Sequence, residues 1–254
     1  MTLLSVSGLT IQRRKRTILR DVSFSVGPGE LVGLIGANGA GKTTLMRAVL
    51  GLLPAEGYSS LAALPQKSRA QQAAWMPQAR EVAWPVSVER LISLGRLPHL
   101  AAGQAIGAAD RAAIDGAIAD MGLEPFRHRT ATNLSGGELA RVLIARTLAQ
   151  DTPLVLADEP IAGLDPAHQI QTMRLFAGLA QAGRSAIVSI HDLGLAARHC
   201  TRLILLGEGR LVADGAPGDV LTPDNLTDHF NITAHFARSE AGLIFQPLDV
   251  VGMD

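Results

Sequence analysis

A short apolar run, Leu31-Val32-Gly33-Leu34-Ile35, passes directly into Gly36-Ala37-Asn38-Gly39-Ala40-Gly41-Lys42-Thr43. No other stretch restricts the fold so tightly. An apolar run this short reads as a strand buried on both faces. The glycines let the backbone curl so that successive N–H groups point inward. Leu45, Val49 and Leu52 then mark one side of a helix that begins near Lys42 and adds its positive N-terminal end. Strand, glycine loop and helix in this order cradle phosphate groups. Lys42 is placed to reach β- and γ-phosphates, Thr43 to offer its hydroxyl to Mg²⁺, and Thr44 lies beside them.

A second apolar run, Leu154-Val155-Leu156-Ala157, leads into Asp158 and Glu159. A carboxylate at the C-terminal end of a buried strand is well placed to hold Mg²⁺ through water, and its neighbour to polarise an attacking water as general base. Acidic strand ends are common, so the pair gains its meaning from the phosphate loop upstream. Asp158 is read as the metal-side carboxylate and Glu159 as the base.

Between these two halves the pattern changes. Ahead of the first half, Thr17 to Val26 alternates and ends at Gly27-Pro28-Gly29, as strands do. From about Pro85 to Gln150 the apolar spacing is helical: Val88, Leu91 and Ile92, then Ile114 and Ile118 within Ala109–Met121, then Leu139, Val142, Leu143 and Leu148 within Gly136–Gln150. Strands at Leu154–Ala157, Ala186–Ile190 and Leu203–Leu206 follow, with a helix over Ala167–Gln181. Strands alternating with helices imply a parallel sheet with crossover helices. The reading is an α/β core interrupted by a helical lobe, one domain over 1–254. Pro54 to Ala74 has no decisive pattern.

Composition narrows the partners. With 254 residues, 47% of them apolar, the chain can bury a sizeable core. Lys and Arg number 23, as do Asp and Glu, so nothing points to nucleic acid or another polyanion. The single cysteine, Cys200, excludes a disulfide framework and suits a reducing compartment. No apolar run approaches the length that crosses a bilayer, so any membrane-spanning part is expected from another chain.

Leu134-Ser135-Gly136-Gly137-Glu138 closely resembles the LSGGQ signature of ATP-binding cassette proteins, with Ser135 standing 23 positions ahead of Asp158. Other landmarks of that family appear in order along the chain. Gln78 in Trp75-Met76-Pro77-Gln78 resembles the Q-loop glutamine, Asp165 in Gly163-Leu164-Asp165-Pro166 the D-loop aspartate, and His191 the switch histidine. The resemblance implies a P-loop NTPase (RecA-like) core over about 1–85 and 151–254, a helical subdomain over about 86–150, and an N-terminal antiparallel β region. It further implies that Gln78 joins Mg²⁺ and the attacking water to the helical lobe, that His191 contacts the γ-phosphate, and that Asp165 organises a dimer seam. ATP would be sandwiched head-to-tail between two copies, with Ser135, Gly136, Gly137 and Glu138 of one facing the γ-phosphate held by the other.

Several of these residues have a plainer account. Ser135-x-x-Glu138 is a capping box, and capping and phosphate contact are compatible. His191 on its own reads as a buried, satisfied histidine. Where the family usually stacks an aromatic ring on adenine, this chain has Arg13, which either stacks its guanidinium plane on the base or belongs to a solvated basic run. The segment after Gln78, Pro85 to His99, is expected to form a docking surface for membrane subunits, and its Leu94-Gly95-Arg96-Leu97-Pro98-His99 resembles a run in ATPases of iron–siderophore, haem and vitamin B12 importers, which implies that the chain powers import of such a metal chelate. Its plainer account is a helix end. Only 63 residues follow His191, too few for the regulatory domain of many sugar-importer ATPases. The expectation is therefore an ATPase on the cytoplasmic face of the membrane. It pairs with itself and with polytopic permease subunits, and serves a substrate-binding protein indirectly. A soluble cassette protein of a non-transport process, a transporter of a different substrate class and a phosphate-loop kinase are the rival readings.

Overall fold

The computed structural model describes residues 2–13, 16–79, 81–239 and 242–251. Arg14 and Lys15 of the basic run lie outside them. In chain order the strands and helices are β1 (Leu4–Arg13), β2 (Arg16–Val26), β3 (Leu31–Ile35), α1 (Lys42–Val49), β4 (Glu56–Ser59), α2 (Gln66–Gln72), β5 (Ala73–Met76) and α3 (Val88–Ser93). A 3₁₀ segment, Leu94–His99, leads on to α4 (Ala108–Asp120), α5 (Gly136–Ala149), β6 (Leu154–Asp158), α6 (Pro166–Gln181), β7 (Ser185–Ser189) and α7 (Leu193–His199). The chain ends with β8 (Arg202–Gly207), β9 (Arg210–Gly215), α8 (Pro217–Val220), α9 (Pro223–Phe230), β10 (Ile232–Ser239) and β11 (Gly242–Val250). It divides into two compact units, residues 1–63 with 176–254, and residues 64–175.

The first unit holds the N-terminal antiparallel sheet β2-β1-β4. Along β1 the buried residues are Leu4 and Val6, then Leu9 and Ile11. The change of parity falls at a register shift between Val6 and Leu9, where Gly8 takes φ 60°. An irregularity of this kind turns the following side chains to the opposite face. The same unit holds strands in the order β7-β3-β8-β9. β3 lies between two parallel neighbours and all five of its residues are buried, which explains an apolar run without alternation. Gly33 has no room for a side chain: a Cβ there would stand 2.6 Å from Leu203 Cδ2 and 2.9 Å from Cys200 Sγ. β8 and β9 pair antiparallel through Glu208 (φ 49°) and Gly209 (φ 74°), a two-residue turn with both φ positive. Arg202 fastens this region, donating to Asp214, to Glu30 (2.9 Å) and to the Ser25 carbonyl (2.9 Å).

In the second unit β5 pairs parallel with β6, and the Ala74 N–H donates to Thr152 Oγ1 at 3.1 Å. This supplies the structure of the patternless stretch: β4, α2 and the start of β5 lie within it. The three helices read from spacing appear as α3, α4 and α5. At Leu94 the α-helix gives way to 3₁₀ geometry, and the backbone there passes tightly over α5. A Cβ on Gly95 would lie 2.3 Å from the Arg146 carbonyl oxygen.

Candidate active site

In the first unit, β3 delivers the chain to the glycine loop, and α1 starts at Lys42 with Gly41 as its N-cap (φ 102°). Gly36 (φ 144°) is fixed by its neighbour, since a Cβ would meet the Leu206 carbonyl oxygen at 2.3 Å. Gly39 (φ 82°) faces open space. The loop wraps the buried Lys42, whose Nζ donates to the carbonyls of Gly36 (2.7 Å) and Ala37 (3.2 Å). The loop is thus curled around an ammonium group with the first turn of α1 beside it. The first N–H groups of a helix have no partner within the helix, so this geometry suits a phosphate anion. Thr43 and Thr44 line a cavity of about 390 Å³ together with Arg13, Ile18 and Arg47. Arg13 thus lines the same cavity as Thr43 and Thr44. Tyr58, the chain's one tyrosine, is exposed on β4. His191 follows β7 and is exposed, where the plainer account has it buried. Asp192 next to it caps α7 by accepting from Leu195 N–H at 2.8 Å.

The second unit carries the acidic pair. All five residues of β6 are buried, and Asp158 at its end is 1% exposed. Glu159 turns out of the strand in a left-handed conformation, φ 48°. A non-glycine residue holds that conformation only where the surroundings enforce it, which is common at functional sites. Gln78, exposed beyond β5, donates from Nε2 to Glu159 Oε2 at 2.9 Å. Two residues 81 positions apart are thereby joined, through the pairing of β5 with β6.

The signature segment forms the N-terminus of α5. Ser135 Oγ accepts from Glu138 N–H (3.3 Å), and the Glu138 carboxylate accepts from Ser135 N–H (2.7 Å). That second bond, then the Ser135 hydroxyl and the nearby Arg129 and Arg141, holds the Glu138 carboxyl below the usual carboxylate range. Arg129 Nη1 is 3.6 Å from Glu138 Oε1, and the guanidinium groups of Arg129 and Arg141 lie 5.9 and 5.7 Å from the Phe126 ring centre. Sequence reading missed this arginine–phenylalanine cluster, for which spacing alone gives no signal. Asp165 caps α6 by accepting from His168 N–H at 3.1 Å, and His168 holds its carboxyl below the usual value. A groove of about 380 Å³ is lined by Trp75, Met76, Trp84, Leu91, Leu94 and Leu143, with Trp84 65% exposed.

The Thr43 hydroxyl in the first unit, and the Asp158 carboxylate and the Gln78 amide carbonyl in the second, each offer an oxygen of the kind Mg²⁺ takes as a ligand. Among the described residues no three acidic, histidine or cysteine side chains gather as a metal site of their own.

The glycine loop between β3 and α1, and the parallel strands that present it, define a phosphate-loop nucleotide-binding protein of α/β class. The chain belongs to the ABC transporter family, whose profile matches residues 19–162. It is 42% identical over 236 residues to a cobalamin import ATP-binding protein of Halobacterium salinarum, covering 90% of this chain and 58% of the relative. It is 41% identical to a hemin import ATP-binding protein of Nocardia farcinica, covering 88% of this chain and 81% of the relative. A solved metal-chelate type ABC transporter in an inward-facing conformation superposes with a TM-score of 0.85 at 25% identity, covering 98% of both chains. The fold is accordingly a parallel-sheet P-loop core with an N-terminal antiparallel sheet and a helical insert.

Proposed function

We propose that this chain is the ATP-hydrolysing subunit of an importer for a metal chelate of the haem, cobalamin or siderophore type. The observation that carries the catalytic part is the bond from Gln78 Nε2 to Glu159 Oε2, 2.9 Å, at the end of the strand that also presents Asp158. The relatives named for cobalamin and hemin import support the cargo class.

In this reading the loop Gly36–Thr43, with Thr44, binds the phosphates of ATP, and Lys42 exchanges its contacts with the loop carbonyls for the β- and γ-phosphates. Arg13 lies against the base. Thr43, Asp158 and Gln78 would hold Mg²⁺, which supplies charge neutralisation on the phosphates when bound. Glu159 accepts the proton of the attacking water, which His191 helps to orient. Ser135 to Glu138 of a second copy faces the γ-phosphate, with Asp165 at the seam. The γ-phosphate is then the contact that distinguishes closed from open pairs, and its loss lets them separate. No described helix is long and apolar enough to cross a membrane, so separate permease subunits are expected to span it. They would dock in the groove carrying Trp84, with the chain peripheral on the cytoplasmic face and a substrate-binding protein upstream. The helical lobe is assigned to about 86–150.

The test is Glu159→Gln, which keeps the shape of the side chain and removes the base. Turnover should fall by about 10²–10⁴-fold while ATP stays bound and dimers accumulate, read by phosphate release and light scattering. Near-normal hydrolysis would remove Glu159 from the mechanism. Copurification with a polytopic membrane protein tests the transport assignment.

A further inference from the structure

The run Leu94–His99 reads from sequence as docking surface, yet Arg96 is buried, 7% exposed. Its Nε donates to Asp110 Oδ1 at 2.9 Å, and its Nη1 to the carbonyls of Ala149 (2.8 Å) and Gln150 (3.4 Å). His99 Nε2 lies 2.7 Å from the Gln150 carbonyl oxygen. Gly95 lets the backbone press against the Arg146 carbonyl, where a Cβ would stand at 2.3 Å. The segment thus clasps the last turn of α5, supplying donors to carbonyls that a helix end leaves without partners. Gln150 in turn donates from Nε2 to the carbonyl of Ala70 (2.6 Å) in α2 and to that of Ala73 (3.3 Å), the first residue of the strand that leads to Gln78. Leu94 and Arg146 also line the groove that holds Trp84. One knot of hydrogen bonds therefore joins the groove wall, the end of α5 and the root of β5.

We propose that Arg96 is a positioning residue for nucleotide-driven closure, fixing the pose of α5 so that Ser135–Glu138 at its far end meets the phosphate of the opposing copy. α5 has 14 residues and is about 21 Å long. A tilt of about 5° at the clasp moves the signature end by about 2 Å, several times the tolerance of about 0.5 Å for a working site. Arg suits the task because its planar fork serves Asp110 and the Ala149 carbonyl at once, which an ammonium group does not do with the same geometry.

This proposal rests on the dimer reading above, and the experiment separates the two. In full-length protein carrying Glu159→Gln, the ATP concentration that drives half-maximal dimerisation is measured by light scattering. ATP binding to dilute monomer is measured with a fluorescent analogue, and melting temperature by circular dichroism. Adding Arg96→Lys should raise the dimerisation midpoint about tenfold, the effect of one charge-assisted hydrogen bond. Monomer affinity should stay within about twofold. His99→Gln, a milder change at a half-buried position, should shift the midpoint in the same direction and decides the matter if Arg96→Lys does not fold. Arg127→Ala, which loses pairs to Glu89 and Asp115 in the same unit, should lower the melting temperature without moving the midpoint. An unchanged midpoint in the clasp variants, or an equal shift in Arg127→Ala, overturns the proposal. Failure of the Glu159→Gln parent itself to dimerise overturns the dimer reading instead.

Discussion

Gly36→Ala should disable nucleotide binding, and the structure sets the scale of the effect. The added Cβ would lie 2.3 Å from the Leu206 carbonyl oxygen, and Gly36 sits at φ 144°. Carbon–oxygen contacts are tolerated down to about 3.3 Å, so loop and strand must part by about 1 Å. Leu206 belongs to β8, whose neighbours β3 and β9 pair with it on both sides, so the loop is the element that gives way. Holding a side chain at that φ costs a further ~1–3 kcal/mol. A displacement of about 1 Å in a phosphate cradle costs about 10²-fold in a geometry-dependent function. The strain alone lowers the melting temperature by roughly 2–12 °C for a chain of this size. Gly39→Ala is the matched control: its φ is 82°, but nothing lies within 4 Å of the added carbon. It should show the strain without the displacement. Titration with a fluorescent ATP analogue, beside thermal melts, reads both quantities. If Gly36→Ala binds ATP within about twofold of the parent, or if Gly39→Ala is equally damaging, the cradle argument is refuted.

Other consequences follow from the same contacts. Lys42→Ala removes the ammonium around which the loop folds and should weaken ATP binding by roughly 10–100-fold, measured calorimetrically; unchanged affinity would refute the phosphate-loop assignment. Burial pushes the Cys200 thiol up to about 12, so in the native protein it should resist alkylation at neutral pH and react with one equivalent after denaturation. The Glu138 carboxyl is held below its ordinary 4.5, chiefly by the Ser135 N–H. A lowered value means its stabilisation is complete above the unfolded-state value and is lost as pH falls through the folded-state one. The melting-temperature advantage of the parent over Glu138→Gln should therefore shrink as pH drops below about 4.5; an advantage independent of pH would show that the charge plays no part.

What the sequence determined alone was local chemistry. An apolar run into Gly36–Thr43 leaves one arrangement of backbone, and Ser135-x-x-Glu138 caps its own helix whatever surrounds it. The order of those motifs around Asp158 and Glu159 was equally legible, because each is a contiguous pattern with its cause in neighbouring residues. Tertiary structure decided the rest. β5 has four residues and stands as a strand only because β6, some 80 positions away, supplies its hydrogen bonds. Arg13 gains a place beside Thr43 and Thr44 only once β1 and α1 flank one cavity. Arg96 sits in a run that reads as surface, and only its meeting with Asp110 and the Ala149 carbonyl makes burial tolerable for a guanidinium. Periodicity reports the face a residue presents to its own helix or strand. It carries no record of which distant donor or acceptor will be waiting there.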